Sequence, residues 1–141
     1  MFIFVIQKGE SSLVYFAVGI AGMIGALVRY GLGLVVPAAA VGGFPLGTLF
    51  INWTGSFLLS WFTVMFTRRP AWPPWLKTAV TTGFVGSYTT FSTLSVECVE
   101  LMEQGRFGMA AVYIAASLFG GLLASWAGYA AAQPERKEGI G

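Results

Sequence analysis

The sequence predicts an all-α integral membrane fold of four transmembrane helices, the third broken at mid-membrane. Three observations carry that reading. Of 141 residues, 56% are hydrophobic and only 10% charged, where a soluble domain carries about 25% charged residues. The eight basic and six acidic residues gather in short clusters, and the uncharged runs between them reach the roughly 20 residues that a spanning helix needs. One of those runs is dense in glycine and hydroxyl residues, which favour a regular helix poorly. So few polar groups cannot cover a globule in water.

The first helix is expected at about 11–36. Arg29 is the one charge inside it. Its apolar stretch far exceeds the roughly 7–15 residues of a signal peptide's core, so it reads as a retained helix. Gly19, Gly22, Gly25 and Ala26 give it a small-residue side, which in lipid allows the close backbone approach that holds helices together. An Ala/Gly/Pro-rich connection, 37–43, leads to the second helix at about 44–67. That helix is uncharged and closes on Arg68-Arg69-Pro70. Thr48, Asn52 and Ser56 follow one another at steps of four and therefore share a face. A turn with three prolines precedes the third helix, at about 75–102. Its centre, from Thr81 to Ser95, holds eight Ser and Thr residues, with Tyr88, Gly83 and Gly86 among them. Hydroxyls compete for the backbone, and broken helices at membrane depth free carbonyls for cations and N–H groups for anions. The competing reading is a regular helix with an unusual Ser/Thr face. A turn around Gly105 starts the fourth helix at about 107–132, where Tyr113, Ser117, Gly121 and Ser125 make a second stripe at steps of four. The polar tail 133–141 ends the chain. The whole of 1–141 reads as one transmembrane domain with both termini on one side. Trp53, Trp72 and Trp75 fall near expected helix ends or interfaces, where indoles anchor at the headgroup layer.

Composition also excludes chemistry. The chain has no His and no Asp, which removes His-dependent triads, His zinc sites and EF-hand loops. A lone Cys98 allows neither an internal disulfide nor a CxxC motif. A net charge of +2 is too small and scattered for a nucleic-acid footprint. No enzyme activity is expected. Two polar stripes on different helices suggest a polar path, with Asn52 either lining it or making an interhelical hydrogen bond. Arg29 either snorkels towards headgroups or builds an anion-attracting vestibule. Of Glu97, Glu100 and Glu103, only Glu97 comes close to the hydroxyl-rich segment.

Three blocks then resemble the CrcB/Fluc fluoride channels: Gly25-Ala26-Leu27-Val28-Arg29-Tyr30, Gly47-Thr48-Leu49-Phe50-Ile51-Asn52-Trp53-Thr54-Gly55-Ser56-Phe57, and the run from Gly83 through Thr89-Thr90-Phe91-Ser92-Thr93-Leu94 to Glu97. The resemblance covers nearly the whole chain. It implies a small fluoride-selective channel in a cell membrane, of the prokaryotic plasma-membrane kind, built as a dimer of oppositely oriented (antiparallel) subunits with two pores. It implies that Asn52 faces the pore and that the ring edge of Phe91 lines the fluoride path. Leu94 departs from the family's second Phe, and Gly121 stands where a hydroxyl can occur. Tyr113, Ser117 and Ser125 match the fourth-helix polar track, and Thr48 and Glu97 match further polar positions by the pore. A structural sodium ion at the dimer centre would be held by the backbone carbonyls of Gly86 and Thr89. Fluoride and membrane lipid are thus the expected partners, with no nucleic acid.

Two other classes stay open. A proton-coupled four-helix cation exporter needs a membrane-embedded carboxylate, and Glu97 is the one candidate. A non-conducting partner subunit of a heterodimeric channel would pass no fluoride. With four spans, Lys8, Arg68, Arg69, Lys77, Arg136 and Lys137 fall on the terminal side, against Arg106 and Arg29 on the other. Basic residues favour the cytoplasm, so the chain is expected to insert mainly with its termini inside, and an oppositely biased paralogue becomes a candidate partner beside a second copy.

Overall fold

A computed structural model describes residues 2–35 and 43–133, with side chains from Ser12 onward. Most of the 37–43 connection, the side chains of Lys8 and Glu10, and the tail beyond Gln133 lie outside the described residues. Helix α1 runs Phe2–Val35, starting ahead of the expected residue 11. Its part Ser12–Val35 is long and apolar enough to cross a membrane, as are α2, Leu46–Arg68, and α6, Phe107–Ala131. No β-strand occurs among the described residues.

The third segment is assembled from pieces. Helix α3, Pro74–Thr78, starts behind Pro73 and Pro74, where a proline in the first turn costs no hydrogen bond. It passes into a π-helix, Ala79–Val85, whose wider turn appears in the bond from the Gly86 N–H to the Thr81 carbonyl, five residues back. After α4, Gly86–Tyr88, the chain leaves helical geometry. Thr89 (φ −78°, ψ 157°) and Thr90 (φ −146°, ψ 121°) are extended, and α5, Phe91–Glu103, begins anew. The break expected in the third helix is thus a two-residue gap, with a π-helical stretch ahead of it that the sequence does not announce.

Small residues set the packing. Helix α1 lies on the π-helical stretch, where Gly25 meets the carbonyl of Phe84 and a Cβ on Gly83 would stand 2.7 Å from the Val18 carbonyl oxygen. Helices α2 and α6 lie side by side and run the same way. Trp53 donates its indole N–H to the Ala116 carbonyl at 3.1 Å and lies over Gly120, while Phe57 further along meets Gly128. Two neighbouring helices with the same direction require the chain between them to travel back, so residues 74–103 traverse the length of the bundle. A core of Leu49, Cys98, Leu101, Ala110 and Tyr113 ties α2, α5 and α6 together. The outer face of α6 is apolar and open: Leu118, Phe119, Leu122, Leu123 and Trp126 are each more than half exposed, a surface too extensive and apolar for water.

Candidate functional site

The break is held by one side chain. Asn52 donates Nδ2–H to the Thr90 carbonyl at 2.9 Å and accepts the Thr90 N–H on Oδ1, also at 2.9 Å. A carboxamide edge copies a peptide edge, so it satisfies both backbone groups that the gap would leave without partners. Thr90 then caps α5, its Oγ1 accepting the Thr93 N–H at 3.2 Å and lying 2.9 Å from Thr93 Oγ1. Asn52 Nδ2 keeps a second hydrogen, and among the described residues nothing accepts it.

That amide lines an open cavity of about 300 Å³ together with Gly86, Thr89, Thr90, Phe91 and Leu94. Phe91 is 80% exposed, the most open of the large apolar side chains in the third segment. Because the Thr90 N–H is spent on Asn52, the Gly86 carbonyl four residues earlier lacks its helical donor. No group of three or more Cys or Glu side chains among the described residues is placed to hold a metal.

A second cavity, of about 260 Å³, adjoins the first through Thr90 and is lined by Arg29, Tyr30, Thr48, Thr93 and Glu97. Glu97 is its centre. Thr48 Oγ1 donates to Oε1 at 2.8 Å, and Tyr113 Oη donates to Oε2 at 2.6 Å. Tyr113 is wholly buried, with the Phe44 ring against it edge-on at 5.6 Å. These hydroxyls are therefore engaged by the carboxylate, and an anion draws on them only in competition with it. Arg29 lines the same cavity without forming an ion pair with Glu97.

The structure thus brings Asn52, Phe91, Gly86 and Thr89 to one cavity, and Arg29, Thr48, Glu97 and, through its bond, Tyr113 to the other. Ser117 and Ser125 are separate. Ser117 Oγ is buried with no partner, the one such side-chain atom among the described residues. Ser125 is half-buried, two turns further along α6. Sequence reasoning missed Thr90, which belongs to both cavities and caps α5. A Ser/Thr/Asn/Asp preceding an apolar helix start is the usual cap signal, but five Ser and Thr residues between 89 and 95 hide which one serves.

A family model described as "CrcB-like protein, Camphor Resistance (CrcB)" matches residues 16–129. The "Fluoride-specific ion channel FluC 2" of Geobacillus kaustophilus (strain HTA426) is 98% identical over 129 residues, covering 92% of this chain and 100% of that protein. "Fluoride-specific ion channel FluC 1" of Bacillus anthracis is 47% identical over 117 residues, covering 83% and 85%. "Fluoride-specific ion channel FluC" of Bordetella pertussis is 40% identical over 116 residues, covering 82% and 88%.

Proposed function

This chain belongs to the CrcB-like family, and on that premise we propose that it is a fluoride-specific ion channel, releasing cytoplasmic fluoride passively and so protecting the cell from its toxicity. It is a multi-pass membrane protein. The observation that carries the mechanism is the Asn52 amide, pinned by one edge to Thr90 and left with one N–H beside an open cavity. Fluoride is small and strongly hydrated, so a path for it must replace water with donors. The free Asn52 N–H is one, the unpartnered Ser117 hydroxyl another, and the Phe91 ring edge offers partial positive charge. Arg29 raises the anion concentration at the entrance without gripping it. Sites must bind weakly enough for the ion to leave. A negative interior drives the anion outward at about 2.3 kcal/mol per 100 mV.

In this reading the traverse by residues 74–103 is the fourth span, and the gap at Thr89–Thr90 lies at mid-membrane. An inverted dimer accounts for two features that one chain leaves open, the exposed Phe91 ring and the unclosed cavity around it. A structural sodium ion at the dimer centre would be held by the carbonyls of Gly86 and Thr89; both residues line that cavity, and the Gly86 carbonyl has lost its helical donor. A bound sodium ion supplies charge to offset abutting carbonyls and takes no part in conduction. Six basic residues on the terminal side against two on the other favour a partner of opposite bias, and the numeral in the name FluC 2 fits a pair of paralogues. A reporter fused to the C-terminus reads the bias directly; equal amounts of both orientations would favour two copies of this chain. The function itself is tested by expressing the chain, alone and with its candidate paralogue, in bacteria lacking their own fluoride export. Restored growth in fluoride is expected, and continued sensitivity of cells holding the folded protein would reject the proposal.

A further inference from the structure

A third cavity, of about 240 Å³, lies under the turn between α2 and α3, lined by Thr63, Phe66, Thr67, Lys77 and Thr81. Its hydroxyls share one property. Thr63 donates to the Leu59 carbonyl at 2.6 Å, Thr67 to the Thr63 carbonyl at 2.8 Å, and Thr81 to the Lys77 carbonyl at 2.8 Å. Each has spent its hydrogen on its own helix, so the cavity presents three oxygens that can only accept. Lys77 supplies the opposite character. Its ammonium has three donors, and among the described residues neither it nor Arg68 and Arg69, directly after Thr67, forms an ion pair. The sequence holds no carboxylate between Glu10 and Glu97.

A fitting ligand is therefore anionic and carries neutral O–H donors of its own. A bare halide or a fully ionised phosphate would meet three lone pairs, and a choline headgroup brings no donor. The position indicates where such a ligand comes from. The 23 residues of α2 extend about 34 Å against a hydrocarbon thickness of about 30 Å, which puts Arg68 at headgroup level. Thr63 and Thr67 are exposed on the outer surface of α2, and the buried Phe66 ring lines the cavity beside them, with the Trp72 ring 5.5 Å behind it near the helix end, where an indole suits the headgroup layer.

We propose that this cavity binds the headgroup of a phosphatidylglycerol-type lipid, its phosphodiester on Lys77 in the field of Arg68 and Arg69, and its glycerol hydroxyls on the threonine oxygens. The inference rests on the membrane placement above and is independent of fluoride selectivity. Native mass spectrometry of the detergent-purified protein tests it, with phosphatidylglycerol, phosphatidylcholine and phosphatidic acid of equal chain length offered in turn. Phosphatidylglycerol should be retained about fivefold or more over phosphatidylcholine, the gain expected from one cation near an anionic headgroup. Lys77→Gln should erase that preference and Lys77→Arg keep it. Thr67→Val should weaken phosphatidylglycerol retention while leaving phosphatidic acid unchanged. Free glycerol 3-phosphate at the same concentration should not be retained. Fluoride flux through Lys77→Gln, expected to persist, shows that the variant is folded, whereas the mass readout requires no flux. Undiminished preference in Lys77→Gln, equal retention of phosphatidylcholine, or equal binding of glycerol 3-phosphate would each overturn the proposal.

Discussion

At the residue scale, the Asn52 carboxamide completes the backbone at Thr90 with one edge and lines an open cavity, where the proposed function gives its second N–H to the anion. Asn52→Asp retains the acceptor for the Thr90 N–H but sets an oxygen against the Thr90 carbonyl. A buried polar group so mismatched costs about 1–3 kcal/mol, and the new negative charge repels fluoride. Flux should fall by more than about tenfold with the protein still extractable and folded; an Asp variant conducting normally would remove Asn52 from the path. Phe91→Ile keeps apolar bulk and loses the electropositive edge, so flux assays should show a larger fall for it than for Leu94→Ala. The reverse order would exchange the roles of the two positions. Steps of four made Thr48, Asn52 and Ser56 legible as one face of α2, and Tyr113 and Ser117 as one face of α6. Their partners were not legible. Thr48–Glu97 spans 49 residues and Asn52–Thr90 spans 38, and no local pattern fixes which distant group a hydroxyl or amide will meet.

At the scale of elements, the third segment departs furthest from what periodicity conveys. Its glycines and hydroxyls marked a break, yet not its position, and the π-helical turn from Ala79 has no sequence signature of its own. That stretch lies on α1 through Gly83, where a side chain would meet fixed backbone rather than a yielding neighbour. Gly83→Val should therefore lower the melting temperature or prevent assembly, at the roughly 1–3 kcal/mol typical of overpacking. Gly19→Ala, on the same α1 but with nothing within 4 Å of its Cβ position, should leave melting unchanged, and equal loss in both variants would refute the close-packing argument. The gap after Tyr88 carries the sodium expectation. Exchanging sodium for a large organic cation should lower thermal stability or stop flux, since exposed carbonyls in lipid need a partner. Indifference of both readouts would leave Gly86 and Thr89 without a cation to hold.

Across the whole molecule, hydropathy identified α1, α2 and α6 as lengths of membrane-spanning helix, because each is a continuous apolar run. The remaining traverse, from Pro74 to Glu103, follows from geometry: α2 and α6 run in the same direction, and the chain must return between them. With the four proposed spans, six basic residues fall on one side and two on the other, a bias that the proposed partner of opposite bias would balance. In the proposed function a path of donors crosses a bundle too apolar for water, with the helix gap at its middle. In that function fluoride crosses the bundle passively and selectively. The most direct measurement is efflux from liposomes holding the purified protein, first alone and then with its candidate paralogue, with fluoride and chloride inside at equal concentration and no proton gradient or nucleotide. Rapid fluoride release is expected in at least one of these preparations while chloride stays trapped. Retention of fluoride in both, or release of chloride at a comparable rate, would contradict it.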